Sequence, residues 1–201
     1  MGLSLETNVS LRPYNTFGVD ARAALFARIT AVEELAALAG DLRVQGLPRL
    51  VLGGGSNVLF IGDVEGLVLK IDLPGVSEIG ETDDCWLVRV GAGENWHATV
   101  ARLLALGRPG LENLALIPGQ VGAAPIQNIG AYGLEVAERL HAVYTWDLDE
   151  HRCVDMTPAE CNFAYRDSAF KHQWAGRRIV LGIALALPKR WSPVTAYAEV
   201  E

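Results

Sequence analysis

With 201 residues, half of them hydrophobic and a fifth charged, the chain has the composition of a folded protein, either one large domain or two small ones sharing a core, and not of a disordered one. A formal net charge of −7 without a basic cluster argues against nucleic acid or an anionic membrane as main partner, so a bound phosphate must be held largely by backbone dipoles. The longest uncharged apolar run, Ile179 to Leu187, falls far short of the roughly 18–20 residues a bilayer crossing needs; with no secretory pattern at the start, the expectation is a cytoplasmic protein.

In chain order, Asn15-Thr16-Phe17-Gly18-Val19 follows Pro13 and reads as extended, and Ala24 to Ile29 as a strand. Thr30 and Glu33 stand at capping-box spacing before Val32, Leu35, Ala36, Leu38 and Ala39, whose periodicity is helical until Gly40 ends it. Arg49 to Leu52 is a short apolar strand that runs directly into Gly53-Gly54-Gly55-Ser56-Asn57. Val58-Leu59-Phe60 and Gly66 to Leu73 read as further strands, and Pro74-Gly75 as a boundary between lobes 1–73 and 74–201.

Trp86 to Val90 is a strand entering Gly91-Ala92-Gly93, after which Glu94 or Asn95 starts a helix that stops at Gly107, with Trp96 in the core. A short helical turn spans Gly110 to Leu116. Farther on, His141 to Leu148 and Arg152 to Met156 alternate as a hairpin across Asp149-Glu150, Thr157-Pro158-Ala159-Glu160 caps a single helical turn, and Arg178 to Leu187 is a long buried strand. Strands and helices mix without a regular β-α-β cadence, which predicts an α+β fold.

Leu116 to Gly133 is a long, uncharged stretch punctuated by Gly119, Gly122, Gly130 and Gly133 and by the small Ala123, Ala124 and Ala131. Gln120, Gln127, Asn128 and Tyr132 supply its only polar side chains. Ordinary surface connections are shorter and more polar. Taken alone, such a stretch reads as a buried glycine-rich crossing, and Gly53-Gly54-Gly55 as a tight turn. Together, in a chain without a basic cluster, they predict main-chain N–H groups closing on a dinucleotide diphosphate held between two lobes. Neither a Walker P-loop nor a G-x-G-x-x-G motif opening a helix fits the first segment.

Tyr165-Arg166-Asp167-Ser168 reads either as a solvated turn or as a site in which Arg166 supplies a fixed positive charge to a carboxylate and Tyr165 packs against it. Ser168 has no nucleophile elbow around it and no obvious base, which disfavours hydrolase chemistry. Cys85, Cys153 and Cys161 form no C-x-x-C pair and read as reduced thiols, and His97, His141, His151 and His172 lack metal-ligand spacing.

Six ordered motifs carry a resemblance: Asn15 to Gly18, Leu52 to Leu59, Gly91 to Trp96, Gly110 to Leu114, Ile117 to Gly133, and Tyr165 to Ser168. Together the chain resembles the UDP-N-acetylenolpyruvoylglucosamine reductases of bacterial peptidoglycan precursor synthesis. The resemblance implies a two-lobed FAD-binding fold of the vanillyl-alcohol-oxidase kind, FAD bound non-covalently, NADPH as reductant, and the UDP-sugar's enolpyruvyl group as hydride acceptor. Carried over by residue, it implies that Gly53, Gly54, Gly55, Ser56, Asn57, Val58 and Leu59 grip the diphosphate. Ile117, Pro118, Gly119, Gly122, Ala123, Ala124, Gln127, Asn128, Gly130, Ala131 and Gly133 would line flavin and adenosine.

Arg166, preceded by Tyr165, matches the family's active-site arginine, and Tyr132 and Tyr197 its substrate-side tyrosines. The family continues into a third domain with a proton-donating serine and a catalytic glutamate. Because the 201 residues contain neither, the expectation is an FAD-binding portion with impaired turnover. Another flavoprotein oxidase of the same fold, or a non-catalytic flavin- or nucleotide-binding module, stands as the alternative; no His or Cys lies in a recognisable covalent-flavin motif.

Overall fold

The computed structural model describes residues 3–195. Its first sheet is built from β1 (Leu5–Ser10), β2 (Arg22–Ile29), β3 (Arg49–Leu52) and β4 (Val64–Ile71), in spatial order β1-β2-β4-β3. β1 runs antiparallel to β2, whereas β2 and β3 both flank β4 in parallel. The helix α1 (Val32–Ala39) packs Leu35 and Leu38 into the core. Its entry is capped one residue later than the Thr30–Glu33 spacing predicts. The Glu34 carboxylate accepts the N–H groups of Thr30 at 2.7 Å and Ala31 at 3.1 Å, because Ala31 is the residue that stands just outside the helix.

β5 (Val76–Glu81) and β6 (Cys85–Gly91) open the second sheet, followed by α2 (Trp96–Ala105) and the two-stranded hairpin of β7 (Gly130–Ala131) and β8 (Leu134–Glu135). β9 (Leu140–Asp147), β10 (Arg152–Met156) and β11 (Arg178–Pro188) complete it, in the antiparallel order β10-β9-β11-β6-β5. Asn95 caps α2 with its side-chain oxygen, 2.9 Å from the Ala98 N–H. At Thr157 the N–H and hydroxyl both lie 2.7 Å from Glu160 Oε2, closing a single turn.

β11 lies at the centre of its sheet and is buried on both faces, which is why it reads as a continuous apolar run without alternation. Ile183, Leu185 and Leu187 join Trp96, Val100, Leu103 and Leu114 in one core. Ile179 and Leu181, with Trp146, pack instead against Ile29, Leu69 and Ile71 of the first sheet, so the two sheets share a core.

One expected strand is not formed. Val58 to Phe60 passes as unpaired chain: Phe60 drops into the core beside Leu11 and Phe26, while Leu59 and Ile61 stay exposed. Alternating burial is present there without a neighbouring ladder to bond to. Among the described residues, no helix is long and apolar enough to cross a membrane.

Candidate functional site

The parallel strand β3 ends at Leu52, and the chain turns through Gly53, Gly54 and Gly55 at the end of the first sheet. Gly55 has φ +66°, and a Cβ on it would stand 2.0 Å from the Tyr14 carbonyl oxygen, so only glycine fits there. The Asn15 motif forms the other side of that contact. Asn15 is buried, donates to the Leu11 carbonyl at 2.8 Å and the Val19 carbonyl at 3.0 Å, and so presents Thr16, whose N–H bonds Gly55 O at 3.1 Å. The N–H groups of Gly54, Gly55, Ser56 and Asn57 donate to no acceptor among the described residues.

Facing this turn is the second glycine-dense segment, anchored by Trp96 N–H to Gly119 O at 3.0 Å, Val121 N–H to Glu94 O at 2.9 Å and Gly122 N–H to Ala92 O at 2.9 Å. A Cβ on Gly54 would come within 3.2 Å of Gly119 Cα, and one on Gly119 within 3.0 Å of Ser56 Oγ. Asn57 Nδ2 and Gln127 Oε1 meet at 3.5 Å. Between the segments lies a cleft of about 360 Å³.

Of the residues singled out from the sequence, Gly53 to Val58, Ile117, Pro118, Gly119, Ala123, Ala124 and Gln127 line this cleft. The remaining ones lie elsewhere for identifiable reasons. Leu59 is 63% exposed beyond the turn, and Gly122 is pressed against Ala92. Asn128 is buried as a bracket, donating to Glu135 Oε2 at 2.7 Å and to the Ala164 carbonyl at 3.0 Å.

Gly130 and Ala131 form β7, and Tyr132 and Gly133, with φ +49° and +77°, are the two-residue turn into β8. Positive φ at both central positions matches the twist of a hairpin, and on tyrosine it is a strained conformation. Tyr132 projects half-exposed from that tip.

Tyr165 and Arg166 form a second turn, closed by reciprocal Ala164–Asp167 hydrogen bonds, with Arg166 at φ +53°. Arg166 Nη2 reaches back to Gly130 O at 3.1 Å, joining the two turns. Tyr165 is largely solvent-exposed. Tyr197 lies outside the described residues.

Three residues not singled out as cofactor contacts also line the cleft. Lys171 is its one charged lining side chain among the described residues, its Nζ held 3.0 Å from the Arg166 carbonyl. Gln120 lines it and binds Lys70, a buried lysine whose sequence position in β4 gives no hint of the cleft. Trp96 is core, as expected, with Nε1 on the Leu114 carbonyl at 2.7 Å, yet it also closes the cleft floor.

An apolar cleft with unpaired main-chain donors at one wall, glycines where a Cβ would intrude and a cation at its edge fits a flavin dinucleotide, which carries both an apolar ring system and a diphosphate. No group of three or more His, Cys, Asp or Glu side chains able to hold a metal occurs among the described residues.

The family model described as FAD binding domain matches residues 23–151. The chain belongs to the FAD binding domain family. This FAD binding domain is 53% identical over 198 residues to UDP-N-acetylenolpyruvoylglucosamine reductase of Burkholderia mallei, a match covering 98% of the chain and 57% of that protein. The chain therefore spans somewhat more than half the length of the curated relatives it matches.

Among solved structures it is similar to UDP-N-acetylenolpyruvylglucosamine reductase from Thermus caldophilus, with TM-score 0.74, 30% identity, and coverage of 94% of this chain and 64% of that one. The Physcomitrella patens BBE-like 1 structure, 14% identical with TM-score 0.64 over 92% of this chain and 42% of that one, shares the fold alone. The architecture is the α+β, two-lobed FAD-binding fold of the vanillyl-alcohol-oxidase kind.

Proposed function

We propose that the chain is the FAD-holding part of a UDP-N-acetylenolpyruvoylglucosamine reductase, with residues 1–73 and 74–201 as its two lobes, acting in the cytoplasm. One observation carries the reading. The two glycine-dense segments, separated by about sixty residues in sequence, converge on a single cleft with Ser56 and Gln127 on its facing walls. FAD held there would supply hydride-transfer chemistry, accepting hydride from NADPH and delivering it to the enolpyruvyl group of the UDP-sugar.

Gly53 to Asn57 would hold the diphosphate through main-chain N–H groups, aided by the Ser56 and Asn57 side chains. Ile117, Pro118, Ala123 and Ala124 would exclude water from the ring system. Arg166, which cannot lose its proton, would bind the substrate carboxylate and stabilise negative charge developing beside it. Tyr165 would work beside Arg166 at the reacting group, and Tyr132 and Tyr197 would serve as substrate-binding residues.

Purified chain should be yellow, or take up added FAD with quenching of flavin fluorescence, and should oxidise NADPH slowly. Arg166→Lys in the full-length protein should lower kcat while FAD content stays unchanged. Colourless protein indifferent to added FAD would overturn the reading.

A further inference from the structure

Beneath the cleft lies a charged cluster that the chemistry above leaves unused. Lys70 pairs in register with Leu52, the residue just before Gly53, and its side chain is buried. Its Nζ is in contact with the Asp72 carboxylate, which also accepts Arg28 Nε at 2.5 Å and Gln120 Nε2 at 3.0 Å. Gln120 Oε1 in turn accepts from Lys70 at 3.1 Å, and its Nε2 donates to the Gly93 carbonyl at 2.8 Å. A Cβ on Gly53 would stand 3.4 Å from that same Oε1. Lys70 is the charge nearest the first glycine wall; Asp72 offsets it, and the cluster's surplus positive charge rests on Arg28, one strand farther away and 58% exposed.

A buried ion pair is weak support for stability, since apolar residues of similar volume do as well or better. A charge in a poorly solvated position does, however, act over several ångströms on another charge. The place of this cluster, under the main-chain donors and tied through Gln120 to the opposite segment, is where such a charge reaches a bound anion. We infer that Lys70, Asp72 and Gln120 form a positioning and electrostatic device for the dinucleotide's diphosphate. Gln120 fixes the spacing of the two glycine-dense segments, and the net charge, trimmed by Asp72, sets the affinity for phosphate. This rests on the FAD reading above.

The test is titration of the 201-residue chain with FAD and with riboflavin, which has no phosphate, followed by flavin fluorescence, in the wild type and in Lys70→Met, Asp72→Asn and Arg28→Gln. Lys70→Met should weaken FAD binding about tenfold and Asp72→Asn should tighten it several-fold, since one removes a positive and the other a negative charge. Riboflavin affinity should change little in either. Arg28 is exposed, so Arg28→Gln keeps the comparison available if the buried variants do not fold; it should weaken FAD about twofold, less because solvent screens it. Loss of FAD affinity in both Lys70→Met and Asp72→Asn, matched by riboflavin, would mean that the cluster serves packing alone and would overturn the inference, as would unchanged affinity in Arg28→Gln. A wild-type chain that takes up no FAD would instead remove the cofactor reading itself.

Discussion

Ser168 donates its hydroxyl to the Ile126 carbonyl at 2.6 Å, tying the Tyr165–Arg166 turn to the middle of the glycine-dense segment. The serine is buried, and its Oγ also accepts the Phe170 N–H at 3.3 Å. Its role is that of a bracket, not a nucleophile. Ser168→Ala leaves the Ile126 carbonyl without this donor and should cost about 1–3 kcal/mol, read as a lower urea midpoint with an unchanged slope.

Gly55 and Gly54 are adjacent but should respond differently to alanine. At Gly55 the added Cβ meets backbone at 2.0 Å with φ already positive, so Gly55→Ala should destabilise by at least about 1–3 kcal/mol of overpacking, seen as a fall in melting temperature. At Gly54 the nearest atom is Gly119 Cα at 3.2 Å, across the gap between the segments. Gly54→Ala should therefore spare most of the stability and weaken FAD uptake; equal melting losses in the two variants would contradict this contrast.

Acid should unfold the chain partly through Asp72. Burial pushes its carboxyl up, but hydrogen bonds from Lys70, Gln120 and Arg28 together outweigh this and hold it below the usual carboxylate range. A carboxyl whose value is lower folded than unfolded binds fewer protons in the native state, so its stabilisation is complete above the unfolded value of about 3.9 and is lost as pH falls through the folded value. The stability gap between the wild type and Asp72→Asn should accordingly be widest near neutrality and close below about pH 4, measured by denaturation across pH.

The three thiols should separate by reactivity. Burial, reinforced by Glu160, pushes the Cys161 thiol up to about 12, whereas Cys153 is exposed and Cys85 partly covered. Since the thiolate is the reacting form, iodoacetamide at neutral pH should modify Cys153 first, Cys85 more slowly and Cys161 only on unfolding, as peptide mass mapping would record.

Much of this was legible along the chain. The run Arg49 to Gly55 announced a strand ending in a glycine turn, and the apolar stretch Arg178 to Leu187 announced a long buried strand. Those readings succeed because turn conformation and burial periodicity are local properties, written within a few neighbouring residues. The helix entry at Glu34 was misplaced by one residue because Thr30 and Ala31 both offer the N–H groups that the carboxylate takes.

What the sequence by itself determined was the character of the two facing walls: bare glycine backbone, small side chains and hardly any charge. Only the tertiary structure decided what lies behind and beside them. Lys70 comes beneath the cleft because β4 pairs in parallel with β3, in a register that sets it opposite Leu52, and Gln120 reaches it from fifty residues away. Lys171 comes to the rim because Ser168 and Asn128 fasten one turn to another. Sheet register and side-chain brackets of this kind join residues with no shared local pattern, which is why the charges of the site become visible only once the chain is folded.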